Sequence, residues 1–218
     1  MVKNTDIKEE LRPLNNLFNT FKYEFDISIL FDDFLTIVVC CMAKGTKEGL
    51  YLSTIKKYSR TQLDTFSKMF VELVKIYAKN LTFEEWCDPL GEYYEALASK
   101  HKKSGFGQFF TPKGLCDLMA SLTIDKSKKN LKIYEPCSGS GRNILAADKV
   151  VSGNYYVCED IDPICCKMTA INLCFHNIRG EIHCRDVIAY SAPRFSLAVN
   201  YNYIDSKINS IFYYSSNN

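Results

Sequence analysis

Apolar positions in the first hundred residues recur at intervals of three and four, whereas beyond about residue 105 short apolar runs alternate with helical stretches. Ser59 and Gln62 form a capping box ahead of Leu63, Phe66, Phe70, Leu73, Val74 and Tyr77, which share one helical face up to Asn80. Thr82 with Glu85 reads as a second box, and Asp88 before Pro89 restarts a helix through Tyr93, Tyr94 and Leu97. Residues 11–42 show two phases of helix, although 37–41 is β-branched enough to suit a strand. Residues 6–100 therefore read as helical, and the lysine- and glycine-bearing stretch 99–108 reads as a basic linker. The predicted organisation is an N-terminal helical domain over 1–104 and a second domain over 105–218.

In the second domain Thr111 is expected to cap a helix with Pro112 in its first position and Leu115, Leu118, Met119 and Leu122 as its buried stripe. Strands are predicted at 131–135, 155–159, 181–184 and 195–199, with a further one at 208–214. Between them lie a glycine-rich turn at 138–141, a helix over 143–151, and a long helix that Asp162 and Pro163 start. Strands alternating with helices predict an α/β fold with a parallel, doubly wound sheet, which binds ligands at the carboxyl ends of its strands.

Composition narrows the classes. Of 218 residues 47% are hydrophobic and 24% charged, enough apolar matter for a core and too much for disorder. The longest nearly uncharged apolar run, 34–43, is about half of what a membrane-spanning helix needs. The N-terminal MVKNTDIKEELRP has no apolar signal core, so a cytoplasmic location is expected. Ten cysteines with no CxxC pair and only three histidines predict reduced, structural thiols and no metal site; His176, His183 and Cys184 read as packing residues. A net charge of +2 permits a nucleic-acid partner without requiring one.

The chemistry gathers at EPCSGSG (135–141), where the first strand turns straight into a helix. A dinucleotide fingerprint would place a third glycine where Ile144 stands, and the lysine ending of a triphosphate loop is missing. A carboxylate closing the strand, Glu135, would repel a phosphate and suits an amine-bearing ligand. The second strand ends in Glu159, Asp160 and Asp162, where a carboxylate can accept both ribose hydroxyls, and Asp186 follows the third. A nucleoside with a cationic tail fits three acidic strand ends, which makes S-adenosylmethionine the candidate cofactor.

GQFFTPKGLCDLM (107–119), IYEPCSGSGRNIL (133–145), EDIDPICCKMTAINLCFHNI (159–178) and CRDVI (184–188), in that order, resemble the motifs of N6-adenine DNA methyltransferases. The nearest resemblance is to modification subunits of type I restriction systems and to small phage or mobile-element N6 methylases, over about 88–200. The resemblance implies that Phe110, Thr111 and Pro112 contact the methionine end of the cofactor and that Glu135 holds its amino group. Pro136, Cys137, Ser138, Gly139 and Gly141 would wrap methionine and ribose, Asp160 would take the ribose hydroxyls, Ile161 would pack on adenine, and Asp186 would accept from the adenine amino group. Double-stranded DNA with a flipped base is the implied partner.

Members of that family carry NPPF or NPPY after the fourth strand, where this chain has VNYNY. Asn200 and Tyr203 keep an asparagine and an aromatic at the right separation and are the implied catalytic pair; Tyr201 and Asn202 stand in place of the prolines. An alternative register puts Asn202 at the asparagine position. The sequence after Tyr203 leaves room for one more strand, so a partner subunit or a second copy is expected to cover the sheet. Two alternatives accompany methylation of DNA: a noncatalytic cofactor-binding module of a restriction-modification complex, and a methyltransferase acting on RNA or protein amide nitrogen.

Overall fold

A computed structural model describes residues 2–21, 24–81, 85–100, 109–202 and 208–214. Thr82 and residues 101–108 of the linker expected over 99–108 lie outside them, and the backbone of 99–100 ends the last N-terminal helix. Two 3-10 turns, Asn4–Asp6 and Glu9–Leu11, lead into helices α1 (Arg12–Asn19), α2 (Ile27–Met42), α3 (Glu48–Ile55), α4 (Arg60–Asn80) and α5 (Pro89–Lys100).

The local signals act as the physics of capping requires. Ser59 Oγ accepts from the Gln62 amide while Gln62 Oε1 accepts from the Ser59 amide, closing the box that starts α4. The buried face of α4 is Phe66, Met69, Leu73, Ile76 and Tyr77, while Val74 faces outward. The 37–41 stretch is the last turn of α2, with Ile37, Val38 and Val39 buried; tertiary burial outweighs their strand preference. No signal announced α3, which has no buried residue and hence no periodic face.

The second half adds β1 (Lys132–Glu135), α7 (Arg142–Val150), β2 (Tyr155–Asp160), α8 (Pro163–Phe175), β3 (Arg179–Cys184), β4 (Phe195–Val199) and β5 (Ile211–Tyr214), preceded by α6 (Lys113–Thr123). The α/β layering is present, with a five-stranded sheet in the sequential order β1-β2-β3-β4-β5. β1, β2 and β3 are parallel, but β4 pairs antiparallel with β3 and β5 antiparallel with β4. The expected α/β fold is thus present with its first three strands parallel, and only β4 and β5 depart from the parallel, doubly wound arrangement: ten residues separate β3 from β4, too few for a helical crossover, so the chain reverses at the sheet's edge.

α8 is the spine of the molecule, buried along its length between the sheet and α2. Cys158, Cys165, Cys166, Cys174 and Cys184 are packing atoms in that layer. Lys167, on α8, is buried and donates to Asp32 Oδ1 at 2.7 Å and Thr36 Oγ1 at 2.8 Å on α2. One apolar core runs from the N-terminal helices through α8 to β5.

α6 differs from expectation in two ways. Pro112, not Thr111, is the N-cap, and no side chain caps the helix; the Thr111 carbonyl instead accepts from Arg142. Its buried positions are Cys116 and Ala120, and the leucine-methionine stripe faces solvent.

Candidate cofactor site

The carboxyl ends of β1 and β2 lie side by side in register, Glu135 opposite Cys158. From there Ser138 to Gly141 fold into a tight turn: the Ser138 amide donates to the Glu159 carbonyl at 2.9 Å and the Gly141 amide to the Ser138 carbonyl at 2.7 Å. Gly139 has φ +55° and Gly141 φ +94°, conformations that disfavour side chains. A Cβ on Gly139 would also lie 2.9 Å from the Phe110 ring. Asp160, closing β2, accepts from the Gly139 amide at 2.9 Å through one oxygen and from the Asp162 amide at 2.9 Å through the other. Asp162 then caps α8 by accepting from the Ile164 amide.

A cavity of about 160 Å³ opens at this point, lined by Phe109, Phe110, Thr111, Cys137, Ser138, Gly139, Ser140, Arg142, Asn143 and Asp160. Six residues singled out from sequence therefore meet around one hollow: Phe110, Thr111, Cys137, Ser138, Gly139 and Asp160. Pro112, Pro136, Gly141, Ile161 and Asp186 do not line it. Glu135 sits just behind, one oxygen accepting from the Cys137 amide and the other from Asn143 Nδ2, both at 3.2 Å. Ile161 is exposed beside Asp160. Asp186 accepts from the Ile188 and Ala189 amides at 3.0 Å, a turn role.

Sequence reading missed the support behind this cavity. Asp88, at the start of α5, is buried and accepts from the Gly91 amide, Ser140 Oγ, Arg142 Nε and Asn172 Nδ2. Burial pushes the Asp88 carboxyl up, against the pull of the Arg142 guanidinium, the Ser140 hydroxyl and the Gly91 amide. Arg142 reaches on to Glu95 at 2.8 Å and lies over the Phe110 ring, 5.4 Å from its centroid. Glu95 in turn accepts from the Phe110 amide. Asp88 and Glu95, at the start of and within α5, thus hold the glycine turn and the Phe110 wall in one network. In the sequence Asp88 showed only as a helix start, and nothing local marks Glu95 or Asn172.

The lining favours one kind of ligand. Among the described residues that line the cavity, Arg142 is the one cation and is occupied by Asp88 and Glu95, whereas Asp160 and the unpartnered, buried Oδ1 of Asn143 are acceptors. Acceptors without a free cation suit an ammonium-bearing ligand and not a phosphate. S-adenosylmethionine fits this donor and acceptor set.

Of the expected catalytic pair, Asn200 is not among the residues that line this cavity. Tyr203 lies outside the described residues. Asn200 follows β4, whose Val199 pairs with Gly180 at the start of β3, about 13 Å along that strand from Cys184. Its side chain is buried: Nδ2 donates to the Leu173, Cys174 and Ile178 carbonyls, and Oδ1 accepts from the Ser210 amide and the Cys174 thiol. From the end of β4, at φ +54°, the Asn200 side chain is thus engaged by backbone groups at the end of α8 and in the segments that follow it. The antiparallel turn of β4 causes this, since it carries the residue to the far end of the sheet. Asn202, the alternative asparagine, follows it on that same side.

No helix among the described residues is long and apolar enough to cross a membrane. Residues 86–211 match the family model for N-6 DNA Methylase. Over 100 residues the chain is 31% identical to the type I restriction enzyme MpnII methylase subunit of Mycoplasma pneumoniae, an alignment covering 42% of this chain and 18% of that protein. The chain thus spans under a fifth of that relative's length. Among solved structures it resembles a type I restriction-modification methyltransferase subunit from Streptococcus thermophilus, at 13% identity and TM-score 0.44, covering 85% of this chain and 60% of that one. It also resembles a Listeria monocytogenes structure described as a class I S-adenosylmethionine-dependent methyltransferase, at 12% identity and TM-score 0.44, covering 83% and 53% respectively. The family match takes in the glycine turn, Asp160, the network behind them and more than half of the sequence, and the chain belongs to the N-6 DNA methylase family.

Proposed function

We propose that this chain binds S-adenosylmethionine in the cavity between Phe110, the glycine turn and Asp160, and serves N6-adenine methylation of double-stranded DNA in the cytoplasm. The observation that carries the reading is the convergence of Phe110, Thr111, Cys137, Ser138, Gly139 and Asp160 on one acceptor-rich hollow. In this reading residues 1–104 form a helical platform and 105–218 the cofactor domain.

The cofactor supplies a methyl group made electrophilic by its sulfonium. The chain's part is to bind and orient. Asn143 Oδ1, with Glu135 behind it, would receive the ammonium end, and the Asp160 carboxylate, still holding one free lone pair on each oxygen, would accept from the ribose hydroxyls. Phe110 would shield the methionine chain from water. Lys126, Lys128 and Lys129, in the loop before β1, would meet DNA phosphates. Ile161 and Asp186 would lie along the adenine, and a partner subunit would complete the base pocket.

The burial of Asn200 favours a second reading, in which the chain binds cofactor but transfers no methyl group by itself. Incubation with radiolabelled S-adenosylmethionine and unmethylated DNA, followed by nucleoside analysis, separates the two. Label in N6-methyladenine supports the first. Tight cofactor binding with no label in DNA supports the second, and label in RNA or protein alone would overturn both.

A further inference from the structure

The stripe on α6 is an apolar surface that nothing among the described residues covers. Leu115, Leu118, Met119 and Leu122 stand at helical spacings on one face and are 46%, 53%, 42% and 76% exposed. Beside them an apolar groove of about 170 Å³ runs between α6, α7 and β1, with Met119 and Tyr134 among its lining residues. β1 pairs only with β2 among the described residues, so the groove adjoins an open sheet edge. Tyr134 and Leu131, on and just before that strand, are also exposed.

From this the geometry points to a twofold dimer of this chain, in which α6 packs against α6 of a second copy with the open β1 edges adjoining. Three observations favour a second copy. First, the face is apolar and uncharged. Of the nearby acids, Asp117 is bound by Trp86 Nε1 at 2.7 Å and Lys113 Nζ at 3.1 Å and Glu135, which lines the groove, by the Cys137 amide and Asn143 Nδ2, while Gly114 and Ser121 are small enough for close helix approach. Such a face offers nothing to DNA phosphates. Second, the exposed parts of the four stripe residues with Leu131 and Tyr134 amount to on the order of 600 Å², most of the roughly 800 Å² that each partner contributes to a standard interface. Third, spacings of three and four are self-complementary about a twofold axis, so the same patch serves both copies.

Sedimentation of the full chain across the micromolar range tests this. The wild type is expected as a dimer, and Leu118→Glu, which sets like charges into the interface from both copies, as a monomer with dimer affinity lowered at least roughly 100-fold. Because Leu118 is exposed, the variant keeps its circular dichroism and melting temperature. Ile29→Glu, an equally exposed apolar position on α2, should leave the dimer intact. A monomeric wild type, or dissociation caused by Ile29→Glu and not by Leu118→Glu, would overturn the proposal.

Discussion

The Asp160 carboxylate accepts a hydrogen bond from the Gly139 amide at 2.9 Å, so the acid that closes β2 holds the turn that follows β1. One residue thereby has two tasks: it fixes the left-handed backbone of the turn, and it faces the cavity that the turn creates. The buried network from Asp88 supports the same turn from behind.

Asp160→Asn keeps the size of the side chain but replaces one acceptor with an NH₂ group that opposes an amide. A hydrogen bond to a charged group contributes about 1.5–3 kcal/mol, so S-adenosylmethionine affinity should fall by roughly 10- to 100-fold. Calorimetry on the variant checks this; unchanged affinity would remove Asp160 from the site.

Asp88→Ala leaves Arg142 buried with Glu95 as its remaining acid and strips an acceptor from Ser140 and Asn172. Breaking a buried pair costs about 3–5 kcal/mol, and denaturant unfolding should show a loss of that order. Asp88→Asn, which retains an acceptor oxygen, should lose less. Equal losses would mean that the charge on Asp88 contributes nothing to the network.

The two halves of the site differed in how far the sequence revealed them. The glycine turn was legible because Gly139 and Gly141 occupy φ values that few other residues accept. Asp160 was legible because it ends an apolar strand beside that turn. The Asp88–Arg142 contact joins positions 54 residues apart, and no local pattern encodes such a pairing. The direction of β4 was hidden for another reason: alternation along 195–199 is the same whichever way the strand runs, and only the short connection from Cys184 hinted at a reversal. Leu115, Leu118, Met119 and Leu122 show periodicity marking an apolar face without saying whether its own chain buries it.

His176 gives a pH signature. Its Nε2 accepts from the Cys87 amide at 3.3 Å and its Nδ1 contacts the Asn172 carbonyl at 2.7 Å, a pairing that suits the neutral ring. Burial lowers its pKa to about 4 against the pull of that carbonyl, so the unfolded chain takes up a proton near pH 6.5 before the native state does. The stability it contributes is complete above pH 6.5 and is lost as pH falls toward 4, about 3 kcal/mol in all. Asp148, which lines a separate surface hollow together with His176, is pushed up to about 6 by burial and works in the opposite sense over much of that range, gaining stability as the pH falls. His176→Asn should therefore become more stable relative to wild type as pH drops from 6.5 to 4. A constant difference between the two unfolding curves would contradict this account.

Asn200→Ala removes donors to three carbonyls at the end of α8 and places a Cβ residue without polar compensation at φ +54°. Unmet buried carbonyls cost about 1–3 kcal/mol each at most, and a loss of roughly 2–3 kcal/mol in stability is expected, with cofactor affinity at 25 °C unchanged. A variant of wild-type stability that lost only methyl transfer would restore Asn200 to catalysis.

Titration of S-adenosylmethionine into the folded chain tests whether the hollow between Phe110, the glycine turn and Asp160 is a cofactor site, without any need to know a DNA sequence. One-to-one binding is expected, weakened by Gly139→Ala because the added Cβ meets the Phe110 ring. Absence of binding by a protein that melts cooperatively would contradict it.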